Sequence, residues 1–174
     1  MAMVAERMAS GKWVERVHPG ISRELQLEDA KAWQLLHFVT SAPNFLALIG
    51  KIVSRDDIAS FRGRIYRKLP GRDHRIPWHD DLSDDQGRLV GMSINLGARP
   101  YLGGVFKIRR RGSRMPLRIL PNTGPGDAIL FRIAPSLLHC VTAVEDTEPK
   151  NSYAGWFKSR GSDFVATVRE RASL

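Results

Sequence analysis

Cysteine is nearly absent from the chain, because Cys140 is the only one in 174 residues. A single cysteine excludes an internal disulfide and a zinc site built from several thiolates, and it is typical of a reducing compartment. Long apolar runs are also missing: the longest candidate, NFLALIG at 44–50, is far shorter than the roughly 20 residues that span a bilayer. The stretch 1–17 interrupts its apolar residues with charged ones, unlike the core of a secretory signal. We therefore expect a soluble, cytoplasmic protein.

Acidic residues are the minority among the charged ones, with 18 Asp and Glu against 27 Lys and Arg, which gives a formal net charge of +9. The basic residues crowd two stretches, 62–75 and 107–118. Such clusters can bind phosphates or attract an acidic partner, but surplus arginine is also common on solvated loops. The charge alone leaves both interpretations open.

The pattern of apolar residues changes after residue 59. Apolar residues recur every three or four positions in LEDAKAWQLLHFV and SAPNFLALIGKIV, which predicts two helices between 27 and 53. Eight β-type runs follow, separated by turn residues: FRGRIYRKL, RLVGMSINL, GGVFKIRR, LRIL, DAILFRI, LLHCVTAV, SYAGWF and DFVATV. Strands without helices between them favour a sandwich or barrel with helices packed on one outer face. We expect one domain over 1–174, with a helical N-terminal part at 1–59 and a β-barrel core at 60–170.

The run FRGRIYRKL alternates between two kinds of residue, as a strand with one polar face does. One face carries Arg62, Arg64, Tyr66 and Lys68, and the other carries Phe61, Ile65 and Leu69. If the apolar face packs on the helices, the basic face looks into the barrel, where buried cations need anionic partners. This alternation therefore predicts an acidic ligand.

Carboxylates gather beside a histidine in IPWHDDLSDD at 76–85. His79 and Asp81 are two residues apart, so both side chains point the same way on an extended segment, whereas Asp80 points away. His139 follows 60 residues after His79 in another β-type run. Two imidazoles and one carboxylate are the ligand set of non-haem iron(II) oxygenases, in which the remaining coordination positions stay open. An H-x-D pair alone is common, and a surface loop is the alternative interpretation.

Three longer stretches resemble the iron(II)/2-oxoglutarate dioxygenases related to prolyl 4-hydroxylase. KLPGRDHRIPWHDD at 68–81 resembles the family segment Y-x-P-G followed by H-x-D, and MSINLGARPYLGGVFKI is similar to its Leu-Asn strand end and Gly-Gly strand start. GDAILFRIAPSLLHCVTAVEDTEPKNSYAGWF resembles the closing block that carries the distal histidine, a basic residue and then serine. The match covers about 60–158, and it implies a mostly β fold with N-terminal helices, namely a double-stranded β-helix (jelly-roll, cupin-like) barrel.

The resemblance implies iron(II), 2-oxoglutarate and O2 as cofactors and cosubstrates. His79, Asp81 and His139 are then the iron ligands, and Lys150 pairs with the far carboxylate of 2-oxoglutarate. Ser152 shares a strand face with Lys150 and is a further candidate for the cosubstrate site. Two positions depart from the family, because Lys68 and Ser93 stand where tyrosines are common. Tyr66 and Ser93 complete the candidate cosubstrate residues, with Tyr66 as a replacement for a missing hydroxyl.

The carboxylate at Asp81 favours hydroxylation over halogenation, because related halogenases have glycine or alanine there. The expected substrate is a small molecule, an amino acid or a peptidyl residue, acidic or carrier-bound. Candidate substrate-binding residues are Arg64, Lys68, Trp78 and Trp156.

Three rival functions remain. A nucleic-acid dealkylase of the same chemistry should show arginines after the distal histidine, and 140–158 has none. A non-catalytic β-barrel that binds an anion would bind no iron. A cupin-like isomerase or hydrolase would bind metal without 2-oxoglutarate.

Overall fold

The computed structural model describes residues 2–20, 22–82, 87–121, 124–145 and 147–159. The helices are α1 (Ala2–Ser10), α2 (Ala30–Thr40) and α3 (Pro43–Val53). The strands are β1 (Trp13–His18), β2 (Ser22–Leu27), β3 (Ile58–Lys68), β4 (Ile76–His79), β5 (Arg88–Asn95), β6 (Phe106–Arg110), β7 (Pro116–Leu120), β8 (Ala128–Arg132), β9 (Leu137–Val141) and β10 (Lys150–Ser159). Among the described residues no single helix is long and apolar enough to cross a membrane, although α2 and α3, bent by 60° relative to each other, meet that test as a pair.

The strands form two antiparallel sheets that face each other. The larger sheet has the order β1-β2-β3-β10-β5-β8, and the smaller has the order β4-β9-β6-β7. Strand β10 lies at the centre of the larger sheet, where it pairs with β3 on one side and β5 on the other. The predicted mostly β, jelly-roll fold is confirmed. In the described ranges, however, the sheets remain two open layers and do not join into a closed barrel.

Local sequence explains the two predicted helices. The side chain of Asp29 caps α2 by accepting a hydrogen bond from the backbone of Ala32 at 2.9 Å, which satisfies an N–H that has no partner inside the helix. Helix α3 begins at Pro43, where the missing amide hydrogen costs nothing. Both helices were predicted from the sequence and are confirmed.

The prediction of a purely helical N-terminal part at 1–59 is wrong. A β-hairpin, β1 and β2, lies between α1 and α2 and joins the edge of the larger sheet through β3. Its strand β1 keeps no buried residue, so its sequence lacks the apolar alternation that identifies a half-buried strand. The run 163–168 was also predicted as a strand and lies outside the described residues; the single domain remains a prediction.

The hydrophobic core lies between the helices and the outer face of the larger sheet. Four large side chains from β3 and β10 are at most 2% exposed: Phe61, Ile65, Tyr153 and Phe157. Residues of α1, α2 and α3 pack against them in the same cluster. Because side chains alternate along a strand, the opposite face of β3 and β10 turns toward the smaller sheet. That inner face borders a cavity.

Candidate metal centre and its cavity

His79, Asp81 and His139 come together inside the cavity. His79 ends β4 and lies opposite His139 of β9 in the strand register, and Asp81 follows two residues after His79. One ligand atom from each residue lies within 4.8 Å of the others. The Asp81 carboxylate is 3.5 Å from Nε2 of His79 and 3.5 Å from Nε2 of His139. The clustering expected from the sequence is therefore present.

The backbone around His79 fixes which ring nitrogen faces the cluster. Nδ1 of His79 lies 2.9 Å from the carbonyl oxygen of Pro77. Because a carbonyl only accepts, Nδ1 must carry the hydrogen, and Nε2 is left with a lone pair toward Asp81. This arrangement, a ring nitrogen anchored by a backbone carbonyl, is the usual way a metal-binding histidine is oriented.

Burial and mutual contact determine the charge of the three groups. Burial lowers the pKa of His139 to about 4, against the opposing attraction of Asp81. Burial alone would raise the pKa of Asp81, but its contacts with His79, His139 and Trp156 lower it overall. At neutral pH, His139 is therefore a neutral imidazole and Asp81 a carboxylate, which are the forms that bind a cation.

Two further side chains hold Asp81. The indole Nε1 of Trp156 donates to its carboxylate at 2.8 Å, and Arg88 donates to its backbone carbonyl at 3.0 Å. The guanidinium of Arg88 also lies 3.9 Å from the centre of a Trp156 ring. Asp81 is consequently oriented from both its side chain and its backbone.

An aromatic wall closes the side of the cluster near His139. The Phe131 ring centroid lies 4.6 Å from that of His139, and the Phe106 ring stacks on His139 at 5.7 Å. Phe131 can occupy this position because it faces Gly91, where a Cβ atom would lie only 2.1 Å from its ring. Apolar rings against a histidine exclude water from that side of the cluster.

The cavity that contains the cluster has a volume of about 390 Å³. Both sheets contribute to its lining, which includes the three clustered residues, Lys150 and part of the β1–β2 hairpin. A cavity of this size is at the lower end of the range for small-molecule sites, roughly 300–1,000 Å³.

Lys150 is 2% exposed and lines the same cavity. Its ammonium donates to the carbonyl oxygen of Gly104 at 3.0 Å, and no described residue forms an ion pair with it. Gly104 presents this carbonyl from a backbone with φ of +57°, a conformation that glycine adopts without strain. Burial, and then repulsion from Lys68, lowers the pKa of Lys150 to about 7. A buried cation without a counterion is costly, and an anionic ligand would remove that cost.

Hydroxyl groups lie next to Lys150 on the inner face. Tyr66 lies opposite Ser152 in the register and lines the cavity together with Ser93. Burial raises the pKa of the Tyr66 phenol, while the hydroxyls of Ser152 and Ser93 partly offset that rise. These three residues, expected at the cosubstrate site, are therefore neighbours beside Lys150.

Three other expectations have different outcomes. Lys68 is buried but does not line the cavity; its ammonium donates to Ser22 Oγ at 2.5 Å and to the carbonyl of Arg23 at 3.1 Å. Trp78 also lies outside the cavity lining and stacks with Arg109, whose guanidinium is 4.3 Å from its ring centre. Arg64 and Trp156 do line the cavity.

The polar loop after Asp81 is only partly described. Asp80 leaves the cluster, as expected, and pairs with Arg111. Asp84 and Asp85 lie outside the described residues.

Sequence reasoning missed two groups near the site. The β1–β2 hairpin brings Arg16, His18 and Glu24 to the cavity. Tyr101 lies beside Lys150, with its ring centre 5.9 Å from Nζ, and its buried hydroxyl has no partner among the described residues. The one available signal was Glu24, an acidic residue between the apolar and polar positions of SRELQL.

Comparisons with known proteins agree on the fold. No protein-family model and no curated protein matches the chain. An oxidoreductase of the 2OG-Fe(II) oxygenase family from Burkholderia pseudomallei superposes with a TM-score of 0.68 and 17% identity, over 90% of this chain and 78% of that one. A Pseudomonas putida prolyl-4-hydroxylase gives a TM-score of 0.63 and 18% identity, over 91% and 83% of the two chains.

A third similar structure contains a peptide. It is a prolyl hydroxylase from Trichoplax adhaerens in complex with a hypoxia inducible factor oxygen degradation domain peptide fragment, with a TM-score of 0.64 and 11% identity over 94% of this chain and 78% of that one. These likenesses concern the fold. The chain thus has the fold of the 2OG-Fe(II) oxygenases and a His-Asp-His cluster within the cavity between its two sheets.

Proposed function

We propose that the protein is an iron(II)- and 2-oxoglutarate-dependent oxygenase that hydroxylates an unactivated C–H bond of a small-molecule, amino-acid or peptidyl substrate. The observation that carries this proposal is one cavity that holds both the cluster of His79, Asp81 and His139 and the unpaired, buried ammonium of Lys150. A metal site and a separate anchor for an anion are the two requirements of this chemistry.

The donor atoms suit iron(II). Two imidazole nitrogens and one carboxylate occupy one face of a metal and leave the remaining positions for other ligands. The neutral state of His139 and the carboxylate state of Asp81 suit metal binding near neutral pH, because protonated ligands bind no metal. A structural zinc site would use four protein ligands, whereas only these three form a cluster among the described residues.

The surroundings of Lys150 suit a dicarboxylate. Its ammonium has no carboxylate partner among the described residues, and the buried Tyr101 hydroxyl nearby is also without a partner there. A carboxylate between the two would satisfy both groups by charge-assisted hydrogen bonds. The other end of 2-oxoglutarate carries a second carboxylate and a keto oxygen, which are the groups that chelate a metal.

The chemistry that bound iron(II) supplies is oxidative decarboxylation, in which O2 and 2-oxoglutarate give succinate and carbon dioxide and one oxygen atom goes to the substrate C–H bond. The chain's own residues orient and protect that reaction. Trp156 holds Asp81 through its carboxylate, and Lys150 fixes the far end of the cosubstrate. Phe106 and Phe131 exclude water beside His139.

Succinate formation tests this proposal directly. Purified protein is incubated with 2-oxoglutarate and O2, with and without iron(II), and succinate is quantified. Oxygenases of this kind turn over slowly without their substrate, so we expect iron-dependent succinate that is absent in His139→Ala. Lys51→Ala, a change on the exposed surface of α3, is the matched control and should keep the wild-type rate.

Two negative results have different meanings. A protein that binds metal but never consumes 2-oxoglutarate would be a cupin-like isomerase or hydrolase. A folded protein that binds no iron(II) would be an anion-binding module.

A further inference from the structure

The inner face of β3 and β10 carries two separate levels of positive charge. Lys150 lies opposite Lys68 in the strand register, and Ala154 lies opposite Arg64. The two levels are four residues apart along each strand, which is roughly 13 Å. Tyr66 lies between them. A single 2-oxoglutarate that uses Lys150 and the metal therefore leaves the level of Arg64 for another molecule.

Arg64 is held by one side of its guanidinium and open on the other. Its Nε donates to Glu24 at 2.5 Å, and Glu24 is 2% exposed. The Arg64 side chain remains 26% exposed and lines the cavity, while no printed contact of the described residues engages its two terminal amino groups. Those groups are the pair that binds a carboxylate in bidentate geometry.

Glu24 keeps Arg64 in place without cancelling the positive charge of this region. Burial raises the pKa of Glu24, but Arg64, Lys68 and His18 lower it overall, so it is a carboxylate shared by several cations. The cavity lining contains four cationic side chains and two carboxylates: Arg16, Arg64, Arg88 and Lys150, against Glu24 and Asp81. This balance favours an anionic guest even when Lys150 is occupied.

The space between Arg64 and the cluster is apolar. The indole of Trp156 lies 5.4 Å from the Arg64 guanidinium and also contacts Asp81. The remaining wall includes Phe106, Phe131 and Ile129. A guest with a carboxylate at Arg64 would therefore place its hydrocarbon part against Trp156 and toward the metal ligands.

We propose that Arg64 binds the carboxylate of the substrate, and that the substrate is a small aliphatic carboxylic acid. The identification of this guest as the substrate rests on the proposed function, but the binding does not. The cavity volume of about 390 Å³ must also hold 2-oxoglutarate, which limits the guest to a small molecule. An internal residue of a peptide has an amide in place of the carboxylate, and the site should reject it.

Paired probes test the subsite without knowledge of the natural substrate. Linear carboxylates from butanoate to octanoate are compared with their primary amides by calorimetry, using zinc-loaded protein saturated with 2-oxoglutarate and, in parallel, protein without 2-oxoglutarate. The indole N–H signal of Trp156, assigned with Trp156→Phe, reports in NMR spectra where the probe binds. We expect at least one carboxylate to bind and shift this signal, with its amide about 10- to 100-fold weaker.

Variants assign that preference to Arg64. In Arg64→Gln we expect the carboxylate to bind as weakly as its amide, while 2-oxoglutarate affinity stays within about twofold. Arg62→Gln, an exposed arginine on the same strand that does not line the cavity, is the matched control and should bind like wild type. If Arg64→Gln misfolds because Glu24 loses its partner, the double variant Glu24→Gln/Arg64→Gln replaces the ion pair with two amides.

Equal affinity for acids and amides in wild-type protein, or an unchanged acid preference in Arg64→Gln or the double variant, would overturn the subsite. Either result, with 2-oxoglutarate still bound, would leave the proposed oxygenase function intact. Loss of 2-oxoglutarate binding alone would oppose that function and not the subsite, because the acid and amide comparison without 2-oxoglutarate still applies.

Discussion

The two faces of strands β3 and β10 differ more than any other neighbouring surfaces in the molecule. The outer face carries Phe61, Ile65, Tyr153 and Phe157, all nearly inaccessible and packed under the helices. The inner face of the same strands carries Arg64, Tyr66, Lys150 and Trp156 around the cavity. One pair of strands thus has a face built for packing and a face built for charge.

This difference separates stability from function within a few ångströms. Burial of the outer face contributes favourable free energy, about 1.5–3 kcal/mol for each large apolar side chain. The inner face works against folding, because the ammonium of Lys150 is buried with no carboxylate partner among the described residues. Such a group persists where a ligand repays its burial. We therefore expect changes on the two faces to have opposite signatures.

The largest functional effect should come from Asp81→Ala. Loss of the carboxylate leaves two imidazoles, and we expect succinate formation to fall by well over about 100-fold, the upper limit for changes outside the ligand set. Thermal unfolding should remain cooperative. Wild-type succinate formation in the variant would contradict the ligand assignment.

The largest effect on stability should come from Phe157→Ala on the outer face. This side chain is 0% exposed and contacts Phe61 with a ring distance of 4.6 Å. We expect the free energy of unfolding to fall by about 3–5 kcal/mol, as measured by urea denaturation. Iron(II) affinity per folded molecule should not change. A matching loss of metal affinity would mean that the two faces are coupled.

Lys150→Ala should weaken 2-oxoglutarate binding by roughly 100-fold, since truncation of one partner in a buried charge pair costs about 2–5 kcal/mol. Calorimetry on the metal-loaded protein measures this change. The same variant should be no less stable than wild type without cosubstrate at pH 6, because it removes an uncompensated buried charge. Unchanged 2-oxoglutarate affinity would place the anchor elsewhere.

The pH dependence of 2-oxoglutarate binding should follow Lys150, whose pKa in the free protein is about 7. The ion pair needs the protonated amine, and the bound carboxylate raises the pKa of that amine. Affinity should therefore be constant with respect to this group below about pH 6 and fall by up to about tenfold per pH unit above pH 7. Lys150→Arg, which stays charged, should lose this slope. A slope retained in that variant would assign the proton to another group.

The smallest effect should come from Trp156→Phe, which removes the hydrogen bond to Asp81 but keeps an aromatic wall. Loss of such a supporting contact lowers metal affinity by about 10- to 100-fold, and we expect the lower value. Trp33→Phe is the control, because its indole donates to the carbonyl of Gly63 at 2.8 Å, outside the cavity lining. Equal iron(II) affinity in both variants would show that Trp156 does not position Asp81.

The sequence predicts the inner face well where side chains repeat with the strand period. Alternation in β3 assigned Arg64 and Tyr66 to one face, and the spacing of His79 and Asp81 assigned both to one side of an extended segment. His139 could be paired with them because the resemblance supplied its partner strand. Each of these inferences depends on local geometry or on a known order of motifs.

The sequence predicts poorly what depends on distant packing. Trp78 precedes His79 directly, yet it stacks on Arg109 away from the cavity, because a four-residue strand gives no indication of which side turns inward. Glu24 reaches Arg64 across 40 residues, through a hairpin whose exposed strand β1 has no apolar periodicity. Tyr101 lies in a turn that the spacing of motifs does not fix. The cytoplasmic location remains a prediction.

The most direct test of the central claim is an anaerobic titration of metal-free protein with iron(II) and then with 2-oxoglutarate, followed by visible absorption. A 2-oxo acid that chelates iron(II) gives a charge-transfer band, and this test needs no substrate. We expect the band in wild-type protein, its loss in His139→Ala, and a much higher 2-oxoglutarate requirement in Lys150→Ala. A folded, iron-loaded wild-type protein without the band would contradict the account.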